Sequence, residues 1–328
     1  MDVLVGEYLK GLEFGKLQKL NSMAVFPVFA NRESKINYIT LNEAIERDLL
    51  EISELDAAGA VPELLVNNNS DIPVLILDGE ELLGAKQNRV VNTSILLREN
   101  SKTVIPVSCV EQGRWSYNSD KFVDSDRIAS YNVRNIKSAS VKESVETSGR
   151  FKSNQGAVWD EVHKLQNNMK VESPTSAMAD VYDAKNEDLE NYLEAFEHVE
   201  GQNGLLVLVN GKIIGLDVVS SSSAYKKVHK KLIKSYAIDS MIQKPGGECM
   251  VKPEHTDEFI SKILKSDETI NDSVGYGFDY RFATDSYIGS SLVYHDDVIH
   301  VSFFKGMEPN NGNQGNMVRY STRANIRQ

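Results

Sequence analysis

Hydrophobic residues along the chain fall into short blocks whose spacing alternates between strand-like and helical. Met23 to Phe29 is a continuous apolar run suited to a buried strand. Thr40 with Glu43 three residues on is the signature of a capping box, opening a short helix through Ala44, Ile45 and Leu49. From Pro73 the pattern turns to strands: Pro73 to Leu77, then Asp78-Gly79 as a tight turn, then Val90 to Leu97, then Val104 to Val110. Val158, Val162, Leu165 and Met169 recur on one helical face, and so do Leu189, Tyr192, Leu193 and Phe196 behind an Asn186 cap. Leu205 to Val209, Asn210-Gly211 and Ile213 to Val219 form a second hairpin pattern, and a third spans Leu292 to Phe304 with its turn at His295 to Asp297. The expected fold is α+β, with antiparallel, hairpin-rich sheets and amphipathic helices packed on them.

The first two hairpin patterns resemble each other, with Leu-Asp-Gly-Glu-Glu-Leu-Leu-Gly at 77 to 84 and Val-Asn-Gly-Lys-Ile-Ile-Gly at 209 to 215. An internal duplication would explain this, as would convergence of short hairpins. Ser138 to Asn154 is rich in Ser, Lys and Glu and poor in large apolar residues, the composition of an exposed connection or lid. It separates a β-rich lobe over 1–137 from an α+β lobe over 155–328, unless the two form one continuous domain.

At 328 residues and 41% hydrophobic, the chain can bury a full core without metal or disulfide support. Its apolar runs fall far below the ~20 residues of a membrane helix. Met1 to Gly15 lacks the basic start, apolar stretch and cleavage site of a secretory signal. Cys109 and Cys249 are the two cysteines, which suggests reduced thiols in a cytoplasm or, alternatively, one disulfide. A net charge of -11 argues against nucleic acid as a partner. The six histidines show no metal-ligand spacing, and the sequence names no cofactor.

Candidate chemistry concentrates between Asp78 and Trp115. The string Asp78-Gly-Glu-Glu-Leu-Leu-Gly-Ala-Lys-Gln-Asn-Arg89 gathers the carboxylates of Glu80 and Glu81, the amine of Lys86, the amides of Gln87 and Asn88 and the guanidinium of Arg89. If Arg89 to Leu97 is a strand, Asn88, Asn92 and Ser94 share a polar face opposite Arg89, Val91, Thr93, Ile95 and Leu97. The next strand ends in Ser108-Cys-Val-Glu-Gln-Gly-Arg-Trp115. There Arg114 and Arg89 could clamp a carboxylate or phosphate, and Trp115 could stack on a planar ring. A buried Arg–Glu network with Trp115 as core would use the same residues. Cys109 has no nearby histidine and fits inert packing better than nucleophilic chemistry. Farther on, Ser220 to Ser223 precede a helix with an apolar face of Tyr225, Val228, Leu232 and Tyr236. Its lysines, Lys226, Lys227, Lys230, Lys231 and Lys234, are expected outward, and its N-terminus could hold a phosphate or be plainly serine-capped.

The strings Gly79-Glu-Glu, Gly84-Ala-Lys-Gln-Asn-Arg89 and Ser108-Cys-Val-Glu-x-Gly-Arg-Trp115 resemble the ADP-ribosylglycohydrolase and rhodanese-phosphatase associated protein domain. Gly215-Leu-Asp217 and Ile299-His-Val-Ser-Phe303 are weaker echoes, and the resemblance covers most of the chain. It implies an association with enzymes of NAD-derived nucleotide and ADP-ribose processing, and it transfers no residue role. The expected activity is binding or processing of an ADP-ribose-like or other phosphorylated nucleotide derivative. Lys86, Gln87, Asn88, Arg89, Asn92, Arg114 and Trp115 would bind this small-molecule ligand, and Glu80, Glu81 or Glu111 would be general acid or base. The rival is a noncatalytic protein-interaction module in which those residues form a structural network.

Overall fold

The run Leu205 to Val209 offers no polar position to water, so a strand there requires cover on both faces. The computed structural model, which describes residues 1–55, 62–244, 246 and 254–306, supplies that cover. In chain order its elements begin with α1 (Val3–Lys10), β1 (Leu12–Phe14), β2 (Gln18–Leu20), β3 (Met23–Ala30), β4 (Ile39–Thr40), α2 (Leu41–Glu46), β5 (Leu50–Glu54) and β6 (Glu63–Asn68). Next come β7 (Val74–Ile76), β8 (Glu80–Gly84), β9 (Arg89–Val91), β10 (Ile95–Leu97), β11 (Ser101–Cys109), β12 (Phe122–Ile128), α3 (Tyr131–Ser148), α4 (Gln155–Met169), α5 (Met178–Ala184) and α6 (Asn186–Ala195). The last are β13 (Gly204–Val209), β14 (Lys212–Val219), α7 (Ser222–Ser240), α8 (Glu254–Ile263), β15 (Asp267–Asp272), β16 (Phe278–Ala283), β17 (Tyr287–Tyr294) and β18 (Asp297–Lys305). The fold is α+β, and every strand pairing is antiparallel except that of β4 with β7.

A nine-stranded sheet runs β1-β3-β13-β14-β18-β17-β16-β15, with β2 also on β3. Leu205 and Val207 of β13 enter a core shared with α3 to α7, while Leu206 and Leu208 enter one shared with α1 and α8. A six-stranded sheet, β12-β8-β9-β11-β6-β5, and a three-stranded one, β10-β7-β4, enclose a third core. Thr40 caps α2 through the expected box, its hydroxyl accepting from the Glu43 amide while Glu43 returns to the Thr40 amide. Asn210 and Gly211, at φ 47° and 74°, close the β13–β14 hairpin, and His295, at φ 51°, helps close β17–β18. No helix among the described residues is long and apolar enough to cross a membrane.

Three expectations need correction. Asp78-Gly79 closes no hairpin: β7 pairs with β10 and β4, β8 pairs with β9 and β12, and the dipeptide carries the chain between sheets. The likeness to Asn210-Gly211 therefore does not mark a repeated unit. The strand expected over Arg89 to Leu97 is broken at residues 92–94, and both of its faces are buried. Most of Ser138 to Asn154, read as an exposed connection, is the second half of α3, with Ser138, Val141 and Val145 buried. Strands from 12–30 pair directly with β13, so the nine-stranded sheet takes strands from both sides of that segment. Cys249 lies outside the described residues.

Candidate functional site

The polar strings come together on one ladder. Val91, Val90 and Arg89 of β9 face Val107, Ser108 and Cys109 of β11, while Val90 and Arg89 also face Glu81 and Leu82 of β8. Directly paired residues share a face, so Arg89, Leu82 and Cys109 lie on one side and Glu81, Val90 and Ser108 on the other. The β8–β9 turn reverses tightly, with Gly84 at φ 133° and Ala85 at φ 41°. A Cβ on Gly84 would come within 2.6 Å of the Lys121 carbonyl, which leaves glycine alone suited to the position.

Arg114 fastens this turn. Its Nε donates to Glu111 Oε1 at 2.8 Å and its Nη2 to Glu111 Oε2 at 2.6 Å and Asn88 Oδ1 at 3.1 Å. Nη1 donates to the carbonyls of Ala85 at 2.7 Å and Ser116 at 3.1 Å, so all five guanidinium hydrogens are committed. Glu111 also accepts from the Asn88 amide at 3.0 Å and Thr175 Oγ1 at 2.8 Å. Burial works to raise its pKa, but the bonds from Arg114, Asn88 and Thr175 prevail and hold it low. Gln87 donates to the Glu111 carbonyl at 2.9 Å. In this arrangement Arg114 has no donor left for a phosphate, and Glu111 is a poor proton carrier.

Arg89 is built differently. Its side chain is fully buried, yet only Nη1 finds an acceptor, Gln87 Oε1 at 2.9 Å. Nε and Nη2 have no hydrogen-bond partner, and the nearest approach to Glu54 Oε1, from Nη2, is 4.0 Å. The Trp115 ring lies 5.8 Å from the Arg89 guanidinium and 5.2 Å from the Lys86 ammonium, with Tyr117 5.0 Å from Lys86. These two aromatics are 48% and 50% exposed, so Trp115 is no core residue. Cys109 sits below, its thiol donating toward Gln87 Oε1 at 3.2 Å, and burial pushes its pKa up. Burial and the raised pKa fit packing better than nucleophilic chemistry.

The three candidate carboxylates diverge. Glu80 accepts from the Leu77 amide at 2.8 Å and from Lys231 at 2.9 Å, and Lys231 also meets Asp124 at 2.6 Å. Lys231 therefore points inward, contrary to the outward lysine face expected of α7, while Lys226, Lys227 and Lys230 are exposed. Glu81, across the ladder from Arg89, is wholly buried with neither oxygen hydrogen-bonded and with Arg127 at 4.0 Å. Burial pushes its pKa up to about 7. Ser221 caps α7 by accepting from the Ala224 amide.

A second polar cluster joins residues that the sequence does not bring together. Arg134 of α3 clasps Asp217 of β14 at 3.0 and 2.6 Å, and Tyr236 donates to the same carboxylate at 2.6 Å. His300 Nε2 lies 3.4 Å from Asp217, and His300 Nδ1 lies 2.8 Å from the Ser94 hydroxyl, which accepts from the Asp78 amide. Lys137 bonds to Asp78 and to the Asn92 carbonyl, while Arg281 and Thr93 hold Asp279. Asn92 belongs here, its side chain donating to the Phe151 carbonyl at 2.9 Å, and not to the Trp115 patch. Burial opposes ionisation of Asp217, yet Arg134 and His300 hold its carboxyl far below the usual range. Asp217 and His300 were visible as weak motif echoes, and Arg134 with Lys137 had no signal beyond their spacing on one helix face.

No curated protein and no solved structure matches the chain. A family model described as the ARG and Rhodanese-Phosphatase-superfamily-associated Protein domain matches residues 11–304, a span that holds both polar clusters and all three sheets. The chain belongs to the ARG and Rhodanese-Phosphatase-superfamily-associated Protein domain family.

Proposed function

We propose that the Lys86–Arg89–Trp115 patch binds a phosphorylated nucleotide derivative of the ADP-ribose type. The observation that carries this reading is Arg89, a buried guanidinium with two nitrogens lacking a partner, under a half-exposed tryptophan. Buried charged donors are normally satisfied, and an unsatisfied one marks a place where a ligand can repay the desolvation. Lys86 adds positive charge, Trp115 and Tyr117 offer stacking faces, and Gln87 and Asn88 shape the turn beneath them. The motif strings on this turn, which resemble a family associated with ADP-ribose processing, support the same ligand class. Of the carboxylates, Glu81 has the proton affinity suited to acid–base work, but it lies across the ladder from Arg89. The reading is accordingly one of binding first.

Thermal shift with ADP-ribose, NAD and simple nucleotides tests it. At ~100 times its dissociation constant a ligand adds ~2.7 kcal/mol, a rise of several degrees. Arg89→Met should abolish the rise. Arg114→Ala is no clean test, because it strips the turn of five bonds. The rival reading, a protein-interaction module, draws on the half-exposed Trp115 and Tyr117 together with the closed Arg114–Glu111 network. It takes over if no nucleotide shifts the wild type at millimolar concentration.

A further inference from the structure

Glu54, at the end of the edge strand β5, approaches Arg89 although β11 and β6 lie between their strands, and both side chains are almost wholly buried. Buried ion pairs normally close to hydrogen-bonding distance, because neither charge has water to fall back on. This pair stands at 4.0 Å. Glu54 Oε1 receives a long bond of 3.4 Å from the Lys86 amide, and Oε2 has no partner. Three buried hydrogen-bonding positions thus lack a partner across this pair: Nε and Nη2 of Arg89 as donors, and Oε2 of Glu54 as acceptor.

A phosphate would satisfy the donors and be repelled by the carboxylate. An ammonium would do the reverse. Only a group that presents an acceptor beside a donor answers both, and the ring nitrogen and exocyclic amine of an aminopurine do so in one plane. We propose that Arg89 and Glu54 together read the amino edge of a purine base, with Trp115 as its stacking face and the phosphate left to Lys86. This rests on the nucleotide reading and divides the labour within it. Glu54 becomes a specificity-determining residue that the sequence strings did not include.

The experiment compares AMP with purine riboside 5′-monophosphate by titration calorimetry. The two differ only in the exocyclic amine, so phosphate and stacking contacts are held constant. AMP should bind roughly tenfold or more tightly, since a site built around a donor rejects the analogue that lacks it. Glu54→Ala should remove most of that preference, and Glu54→Gln serves in its place if the alanine variant does not fold. Equal affinity of the wild type for the two nucleotides overturns the assignment while leaving nucleotide binding intact. If neither nucleotide binds, the nucleotide reading itself falls. Ligand-observed NMR with benzamide and benzoate then tests the pair alone. Benzamide binding that Glu54→Ala abolishes, with benzoate rejected, upholds the pair's selectivity, and equal binding or none of either overturns it.

Discussion

At Arg134, two guanidinium nitrogens meet Asp217 at 3.0 and 2.6 Å, Tyr236 completes the carboxylate, and Gly79 packs so closely that a Cβ there would touch the Arg134 side chain at 3.0 Å. At Arg89, one nitrogen donates to Gln87 and two form no hydrogen bond, Nη2 standing 4.0 Å from Glu54, under an aromatic ring open to water. Both arginines are fully buried and both lie among carboxylates, so density of charge does not tell them apart. Satisfaction does. The Arg134 cluster joins α3 to β14 and, through His300 and Ser94, to β18 and the residues before β10. It is a joint between sheets centred on a doubly bonded ion pair, whereas Arg89 makes one hydrogen bond and leaves two nitrogens without one.

The sharpest way to break this comparison is to remove each guanidinium in turn. Arg134→Met leaves Asp217 buried without its main counter-charge and should cost about 3–5 kcal/mol. In a thermal melt this corresponds to a fall of roughly 4–7 °C for a chain of this length. Arg89→Met removes a buried charge held by one hydrogen bond and a 4.0 Å ion pair, and leaves Glu54 without its counter-charge, so its cost to the unliganded protein should be real but smaller than that of Arg134→Met. Urea unfolding of both variants is the measurement. Equal losses would show that Arg89 is as structural as Arg134.

Two carboxylates sharpen the same point through pH. Burial pushes Glu81 up to about 7 and does the same to Asp239, despite the bonds Asp239 accepts from Asn132. In the unfolded chain these groups ionise near 4.5 and 3.8, so between there and pH 7 the folded protein holds protons that the unfolded chain has released. Stability is therefore full below about pH 4 as far as these groups go, and falls as pH rises through 7. Across that window Glu81 contributes about 3 kcal/mol and Asp239 about 4 kcal/mol. Glu81→Gln should raise the melting temperature at pH 8 and leave it little changed at pH 5. An unaltered pH profile in that variant would show that Glu81 is ionised in the folded state across the range.

Local signals in the sequence were reliable where the structure they encode is itself local. Asn210-Gly211 needs only positive φ at two residues, and the Thr40–Glu43 box needs only its own backbone. Asp78-Gly79 carries the same turn chemistry, but strand choice is tertiary, and β10 and β4 outcompete β8 for β7. The polar composition of Ser138 to Asn154 suggested exposure, but its first part continues α3, where a narrow face of Ser138, Val141 and Val145 is enough to bury the helix. That Arg89, Glu111 and Arg114 cluster was legible in the motif strings, since β8, β9 and β11 are neighbouring strands, whereas Glu80, Glu81 and Asn92 of the same strings point elsewhere. Glu54, from β5, and Arg134, Asp217 and His300, from three distant elements, were not legible as clusters, because nothing in sequence spacing places them beside their partners.

The smallest expected effect lies on α7, where a single step around the helix separates a structural lysine from solvated ones. Lys231 is enclosed by Glu80 and Asp124, and against the opposing effect of burial their charges raise its pKa. Lys226 and Lys230 point into solvent, and Lys227 reaches only a long 3.8 Å contact with Glu43 while remaining 49% exposed. Exposed ion pairs contribute little, and charge reversal on a solvated face commonly changes stability by less than about 0.5 kcal/mol per site. The triple variant Lys226→Glu, Lys227→Glu and Lys230→Glu should therefore fold with a melting temperature within a few degrees of wild type. The Lys227→Glu member should account for most of any loss, since it sets a second carboxylate beside Glu43. Because the Arg89 patch is carried on other elements, nucleotide affinity should be unchanged at moderate salt, where surface charges are screened beyond about 10 Å. Loss of the folded state would show that this face is packed, and a large fall in nucleotide affinity with folding intact would move the phosphate from Lys86 to α7.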